Sequence, residues 1–254
     1  MIHSAAAQGY QASADIYEQA RPGYPEAAVA HLVDGLGLAP GDTVVDLGAG
    51  TGKLTRALIE HGADPLAVEP VEAMRGIFAS VLPGVPVTGA VAEALPLRAG
   101  SVTAVTIGQA FHWFDASAAL AEIHRVLGPG GRLGLVWNVR DESVGWVAAL
   151  TRLVDSHVGA GPTFRSGAWH RAFDSTPRFG PLHAATFPHE QRVDVDGVLA
   201  RVASISYIAA LSEAERRRVA NQVRVLLAGH PDTAGREEFV IRHHTEVFWS
   251  ERRP

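Results

Sequence analysis

The residues best suited to chemistry lie in one short segment, TVVDLGAGTGKLT, at positions 43–55. An aliphatic run is interrupted by Asp46, glycines follow at positions 48, 50 and 52, and a helical pattern begins near Lys53. Glycines at the end of a buried strand let the backbone approach a ligand, because they carry no Cβ and accept positive φ. The first amides of the next helix point into the same space. This order predicts a strand, a ligand-binding turn and a helix.

Spacing separates the ligand classes that use such a turn. A phosphate-binding P-loop needs a glycine, four further residues and then Gly-Lys-Ser/Thr. Leu47 stands where that first glycine belongs and Leu54 follows Lys53, so a P-loop is excluded. A dinucleotide fingerprint is G-x-G-x-x-G, which the G-x-G-x-G order here matches poorly. Asp46-x-Gly48-x-Gly50-Thr51-Gly52 resembles the first motif of class I S-adenosylmethionine-dependent methyltransferases. An NAD site and a turn without a ligand stay open.

An acidic residue follows at the distance that nucleotide-binding folds use. Glu69 ends a predicted strand at 64–69 and lies 21 residues after Gly48. Nucleotide-binding α/β folds place a carboxylate on the ribose hydroxyls at a spacing of about 20 residues. We therefore expect Glu69 to bind a ribose. This spacing does not separate S-adenosylmethionine from NAD, because both carry a ribose diol.

A polar and aromatic segment, QAFHWFD, follows the predicted strand at 102–107. Ligands of open α/β sheets bind beyond the carboxyl ends of the strands, so this segment is expected to meet cofactor and substrate. His112 is suited to proton transfer near neutral pH, and a purely structural role for it stays open. The aromatic residues Trp113 and Phe114 are equally compatible with a place in the core.

The segment DIYEQARPGYP, at residues 15–25, is a candidate lid. Arg21 is available to bind a carboxylate bidentately, and Tyr17 and Tyr24 are available to cover an adenosyl or methionyl group. The alternative is an ordinary turn between two helices.

The elements that position these residues alternate between strand and helix, as a doubly wound sheet requires. We predict helices over residues 26–36, 53–61, 71–81, 146–158 and 195–211, with a break at 159–162. Ser212 is expected to cap a further helix over 213–227, because Glu215 completes a capping box. Strands are expected at 85–88, 132–137, 183–193 and 238–249, and the helix before the second of these is expected to end at Gly128-Pro129-Gly130-Gly131.

Composition excludes several classes of protein. The chain has 254 residues, a net charge of −5 and no cysteine, which argues against a general polyanion binder and excludes disulfides and thiolate metal sites. The sequence predicts no metal site, since adjacent residues His243 and His244 point to opposite faces of a strand. No secretion signal or apolar run long enough for a membrane span is present. A cytoplasmic location, with no nucleic-acid or membrane partner, is therefore expected.

Five segments match one family in order: YEQARPGYP, VVDLGAGTGK, AVEP, AEALPL with QAFHWFD, and RVLGPGGRLGLVWNVRD. Over roughly residues 16–146 the chain resembles the class I S-adenosylmethionine-dependent methyltransferases of the type-11, trans-aconitate methyltransferase-like, small-molecule kind. The resemblance implies an α/β fold of three layers: a doubly wound, Rossmann-like, seven-stranded and mostly parallel sheet with an antiparallel last strand and helical cap segments. It implies one domain over residues 1–254, with lid helices at 1–37, a cofactor-binding core at 38–138, a substrate-side cap at 139–182 and 194–230, and the last strands at 183–193 and 238–249.

The resemblance also assigns residues to a site. It implies that the Ala92 amide and the Glu93 side chain face adenine, although Val91 replaces the polar residue that many relatives carry. Cofactor-binding residues are then Tyr17, Arg21, Asp46, Gly48, Ala49, Gly50, Thr51, Gly52, Glu69, Pro70, Met74, Ala92, Glu93, Gln109 and Ala110. The implied substrate pocket contains Tyr24, His112, Trp113, Trp137, Asn138 and Tyr207. His112 and Gln109 are the candidate catalytic residues.

The function implied is in-line transfer of the methyl group of S-adenosyl-L-methionine to a small carboxylate, hydroxyl or amine acceptor. S-adenosyl-L-homocysteine would be the product, no metal would take part, and the protein would be a monomer or homodimer. Methylation of nucleic-acid bases is disfavoured, because QAFHWF stands where amino-directed base methylases carry Asn/Asp-Pro-Pro-aromatic. The alternatives are an NAD(P)-dependent oxidoreductase and an S-adenosylmethionine-binding protein without methyl transfer.

Overall fold

Seven strands form one central sheet in the computed structural model, which describes residues 4–158 and 161–254. In chain order they are β1 (Thr43–Leu47), β2 (Asp64–Val68), β3 (Val87–Thr88), β4 (Val102–Gly108), β5 (Leu127–Arg140), β6 (His183–Val193) and β7 (Phe239–Glu251). Their order in the sheet is β3-β2-β1-β4-β5-β7-β6. Strand β7 is antiparallel to both of its neighbours, and the other paired strands are parallel. The expected mostly parallel sheet of seven strands is confirmed.

Helices cover both faces of this sheet. Within the described part of the chain they are α1 (Ser4–Ala20), α2 (Glu26–Leu36), α3 (Lys53–Glu60), α4 (Glu72–Val81), α5 (Ala116–Val126), α6 (Gly145–Asp155), α7 (Ala168–Asp174), α8 (Val195–Ala203), α9 (Ser206–Ala209) and α10 (Glu213–Gly229). Successive strand residues point to opposite faces. Val44 accordingly packs in one cluster with Leu32 of α2, whereas Val45 packs in another with Leu120 of α5. The expected three layers follow from this alternation.

A third cluster lies over the antiparallel end of the sheet. Helices α6, α8 and α10 contribute Val147, Val198 and Val223, which pack with Ile241 of β7. Helix α10 begins at the predicted capping box, in which Ser212 and Glu215 each accept a hydrogen bond from the other's backbone. The N-terminal helix α1 packs against α4, α8 and α9.

Some element boundaries differ from the predicted ones. The apolar segment at 195–211 is not one helix but two, because the Ser204 hydroxyl donates to the Arg201 carbonyl at 2.7 Å and helix α8 ends there. Such local side-chain bonding competes with continued helix. Strand β5 begins at Leu127 rather than near 132, since Leu127 already pairs with Val102. Of the break predicted at 159–162, residues 159 and 160 lie outside the described residues, as do residues 1–3 of the predicted lid.

Candidate functional site

The glycines of the turn after β1 all have positive φ, but they differ in the space around the position of a Cβ. Gly48, Gly50 and Gly52 have φ values of 70°, 59° and 91°, in the left-handed region that favours glycine. A Cβ on Gly52 would lie 2.6 Å from the Leu82 side chain and 2.9 Å from that of Phe78, whereas a Cβ on Gly50 would meet nothing within 4 Å. Gly52 is therefore required for packing of the turn, and Gly50 leaves open space beside the backbone.

The two positions are expected to respond differently to alanine. Gly50→Ala should cost about 1–2 kcal/mol of unfolding free energy through backbone strain alone. Gly52→Ala adds a steric overlap and should cost about 2–5 kcal/mol in all. Denaturant unfolding of the two variants measures the difference, and equal losses would contradict this division of tasks.

Two buried carboxylates accept hydrogen bonds from residues in and beside this turn. Asp46 is fully buried at the end of β1, and its Oδ2 accepts a hydrogen bond from the Thr55 hydroxyl at 2.5 Å. Burial raises the pKa of Asp46 to about 6. Glu69 is only 5% exposed, and its carboxylate accepts hydrogen bonds from the amides of Gly50 at 2.9 Å and Val71 at 2.8 Å. Burial also raises the pKa of Glu69. Each carboxylate would be stabilised by a cationic or hydrogen-bond-donating ligand.

Helix α1 and the segment after it lie over the turn. Lys53, the first residue of α3, donates to the Glu18 carbonyl at 2.7 Å and forms an ion pair with the Glu18 carboxylate at 3.2 Å. Arg21 Nε donates to the Ser204 hydroxyl at 2.8 Å. The Tyr24 hydroxyl lies against Gly108, where a Cβ would be only 2.5 Å from it. The DIYEQARPGYP segment thus contacts Lys53 directly after the turn, the end of β4, and Ser204 directly after α8.

Two cavities meet beside the turn. The first, here called the turn cavity, has a volume of about 30 Å³; the second, the aromatic cavity, has about 500 Å³. Five residues line both: Tyr17, Arg21, Gln109, Asn138 and Arg201. The predicted residues that line the turn cavity alone are Tyr24, Asp46, Gly48, Ala49, Gly50 and Thr51. Those that line the aromatic cavity alone are His112, Trp113, Trp137 and Tyr207.

Gln109 occupies the junction in a strained conformation. Among the described residues it is the sole non-glycine residue with positive φ, at 60°. Its backbone N–H donates a hydrogen bond to the Val136 carbonyl at 2.9 Å, which fixes the end of β4 against β5. Strained backbone of this kind costs about 1–3 kcal/mol and clusters at functional sites. Asn138, beside it on β5, donates to the Gly23 carbonyl at 2.8 Å and accepts from Thr245 at 2.6 Å.

His112 lies in a short 3₁₀ helix, Phe111–Trp113, at the wall of the aromatic cavity. Its ring centroid is 5.0 Å from that of Trp113, and its Nδ1 is buried with no hydrogen-bond partner in the described part of the chain. Burial lowers the pKa of His112 to about 4. The imidazole is therefore neutral at pH 7, the form that accepts a proton.

The remaining predicted residues lie outside both cavity linings: Gly52, Glu69, Pro70, Met74, Ala92, Glu93 and Ala110. Met74 and Ala92 are buried in the core. Glu93 accepts a hydrogen bond from the Asp115 amide at 3.0 Å, at the start of α5. Their roles toward adenine and ribose stay predictions.

Sequence reasoning missed several polar or charged residues of the cavities. Lys53 borders the turn cavity, Tyr10 and Arg140 border the aromatic cavity, and Arg201 borders both. For Arg201 a signal existed: it lies between Val198 and Val202 on the apolar face of a helical pattern, where a charged side chain needs a reason to be buried.

Among residues 4–158 and 161–254, no group of three His, Asp or Glu side chains is arranged to hold a metal ion. Within the same ranges, no helix combines the length and apolar character that a membrane span needs.

Known proteins are similar to this chain in sequence and in fold. A family model described as a methyltransferase domain matches residues 45–135. An uncharacterized methyltransferase of Mycobacterium tuberculosis is 37% identical over 230 residues, which cover 90% of this chain and 89% of that protein. An uncharacterized methyltransferase-like protein of Schizosaccharomyces pombe is 32% identical over 239 residues, covering 94% and 93%. The solved structure of a candidate type II methyltransferase from Anaeromyxobacter dehalogenans has a TM-score of 0.66 at 26% identity, covering 92% of this chain and 97% of that one. The chain belongs to the class I S-adenosylmethionine-dependent methyltransferases.

Proposed function

We propose that this methyltransferase acts on a small-molecule acceptor that binds in the aromatic cavity, with S-adenosylmethionine bound along the turn cavity. The observation that carries the proposal is the junction of the two cavities at Tyr17, Arg21, Gln109 and Asn138. A reactive group at the end of a ligand in one cavity faces the occupant of the other. Transfer between two small ligands needs this arrangement.

The residues of the turn cavity fit the cofactor by their charges and by the open space beside the backbone of Gly50. Its methionine end carries an ammonium and a carboxylate, and the cavity offers the Asp46 carboxylate and the Arg21 guanidinium. The space beside Gly50 admits a ligand close to the backbone. We assign Glu69 to the ribose, and Ala92 and Glu93 to the adenine. When bound, the cofactor supplies an electrophilic methyl group.

Binding requires movement of the N-terminal segment. A cavity of about 30 Å³ holds only one or two water molecules, so a ligand of nucleoside size enters only if α1 and the Arg21–Tyr24 segment shift outward. The Lys53–Glu18 contacts at the start of α3, the Arg21–Ser204 hydrogen bond and the Asn138–Gly23 hydrogen bond would then open. This assigns the predicted lid role to α1 and to residues 21–24, and not to α2, which packs against the sheet.

The protein's own contribution to the reaction is mainly orientation and exclusion of water. Holding two reactants in line can lower the barrier by about 7–11 kcal/mol. Gln109, fixed at the junction, orients the acceptor. Neutral His112 accepts the proton that a hydroxyl or amine acceptor releases, whereas a carboxylate acceptor needs no base.

Calorimetry tests the proposal directly. We expect micromolar binding of S-adenosylhomocysteine and no binding of NADH. Labelled methyl transfer from S-adenosylmethionine to a panel of small acids, phenols and amines then identifies the acceptor class. Binding of NADH without S-adenosylhomocysteine would overturn the proposal, and cofactor binding with no transfer across the panel would indicate a binding protein.

The ribose role of Glu69 gives a separate prediction. Glu69→Gln removes the charge and keeps one of the two oxygens that accept from the Gly50 and Val71 amides, so S-adenosylhomocysteine affinity should fall by about 1.5–3 kcal/mol. Titration calorimetry measures the change. Glu72→Gln, at an exposed position of α4, is the matched control. Wild-type affinity in the Glu69 variant would refute the assignment.

A further inference from the structure

The aromatic cavity contains a buried arginine that has no counter-charge within the described part of the chain. Arg201 on α8 is 5% exposed, and its Nε and Nη1 have no hydrogen-bond partner among the residues that the structure describes. Its Nη2 lies 3.4 Å from Nε2 of His243. Within the same residues, Arg201 forms no ion pair with a carboxylate. Burial lowers the pKa of Arg201, and the nearby charges of Arg21 and Arg140 lower it further.

The surroundings of Arg201 add positive charge rather than neutralise it. Arg140 on β5 also lines the aromatic cavity, and its Nη2 lies 3.8 Å from the Asp155 carboxylate. Burial lowers the pKa of Arg140 to about 10. Removing an unpaired cation from water costs several kcal/mol. A ligand anion that bonds both guanidinium groups offsets this cost. A purely structural role for Arg201 offers no such compensation.

The walls beside these arginines are flat and aromatic. The rings of Trp113 and Tyr207 lie 5.3 Å apart at 35°, and those of Trp137 and Phe164 lie 4.8 Å apart at 37°. All four residues line the cavity of about 500 Å³, a volume typical of sites for drug-sized ligands. Aromatic faces bind planar, apolar groups by stacking and burial.

We propose that the acceptor is a planar molecule with a separate anionic group, a carboxylate or phosphate, which Arg201 and Arg140 anchor while another atom receives the methyl group. The inference rests on the proposed function. The anchored group is not the methylated one, because paired guanidinium bonds engage the oxygen lone pairs of an anion and reduce its nucleophilicity. Arg201 and Arg140 then determine specificity.

The methionine carboxylate of the cofactor is the competing occupant, because Arg201 borders both cavities. Arg140 borders the aromatic cavity alone. A test that separates the two ligands must therefore measure cofactor affinity and acceptor affinity independently.

Calorimetry on the full chain saturated with S-adenosylhomocysteine provides this test. The probes are cinnamate, its neutral amide cinnamamide, and phenyl phosphate, so that the two anion types are distinguished. We expect at least one anion to bind about tenfold or more tighter than the amide, the factor that 1.4 kcal/mol corresponds to. Arg201→Met and Arg140→Met should abolish this preference and leave S-adenosylhomocysteine affinity unchanged. Arg224→Met, on the exposed face of α10, should match the wild type.

Thermal unfolding distinguishes a variant that has lost the anion site from one that has failed to fold. Removing an unpaired buried charge should raise the melting temperature of Arg201→Met above that of the wild type. Cinnamate or phenyl phosphate should raise the melting temperature of the wild type and not that of Arg201→Met. Arg201→Lys keeps the charge without the planar fork and should retain only part of the preference.

Three results would overturn the anchor. They are equal binding of anion and amide, no binding of either anion at millimolar concentration, and weakened S-adenosylhomocysteine binding by Arg201→Met, which would assign Arg201 to the cofactor. Failure of the wild type to bind S-adenosylhomocysteine would instead refute the proposed function, and the anchor with it.

Discussion

Replacing His112 by alanine is expected to lower kcat for a hydroxyl or amine acceptor by roughly 10²- to 10⁴-fold, the usual contribution of a general base. The proposed reason is that the His112 ring lines the aromatic cavity and is neutral at pH 7. Steady-state kinetics measure the effect once an acceptor has been found. S-adenosylhomocysteine affinity should not change, because His112 does not line the turn cavity.

The pH profile and a second variant separate proton transfer from packing. Because burial lowers the pKa of His112 to about 4, the imidazole stays neutral above pH 5, and its acid limb in kcat should fall near pH 4 rather than 6.5. His112→Phe keeps an aromatic ring beside Trp113 but accepts no proton, so it should be as slow as the alanine variant. A wild-type rate in His112→Phe would assign the residue to packing.

Asp46→Asn is expected to stabilise the protein at neutral pH and to weaken its binding of the cofactor. Burial raises the pKa of Asp46 from 3.8 to about 6 in the folded state. Below pH 4 the carboxyl is protonated in both the folded and the unfolded state, so its ionisation does not lower the unfolding free energy. As pH rises from about 4 to 6, only the unfolded chain loses this proton, so the unfolding free energy falls by up to about 3 kcal/mol. Above pH 6 the deficit stays.

The asparagine variant lacks this titration and keeps an oxygen for the Thr55 hydroxyl. It should exceed the wild type by up to about 3 kcal/mol at pH 7 to 8 and match it near pH 4. Denaturant unfolding at both pH values measures the difference between variant and wild type, which isolates Asp46 from other titrating groups. Asp64→Asn, exposed at the start of β2, is the control. An advantage that did not depend on pH would contradict the proposed titration.

The same substitution tests the binding role of Asp46. In the proposed complex its carboxylate faces the cofactor's ammonium, so S-adenosylhomocysteine affinity should fall while stability rises. A gain in stability without loss of affinity would leave Asp46 a purely structural residue.

Local features of the fold were predictable because their causes are local. The glycine spacing requires a turn after β1, and the Ser212–Glu215 pair caps α10 whatever surrounds it. The alternation of strands and helices indicated the doubly wound sheet. The division of 195–211 into two helices was not predictable from its apolar pattern, since it depends on one serine bonding back to the helix.

The candidate site likewise has one part that the sequence predicted and another part that only the tertiary structure revealed. By itself the sequence predicted the glycine turn, the acids Asp46 and Glu69, and the segment that carries His112 as parts of a candidate site, because each lies at a strand end where ligands of such sheets bind. Only the tertiary structure decided that Arg21, Arg140 and Arg201, from three distant segments, come close together beside one cavity, where the charges of Arg21 and Arg140 lower the pKa of Arg201. Burial and charge proximity are properties of the packed chain, and residue spacing does not encode them.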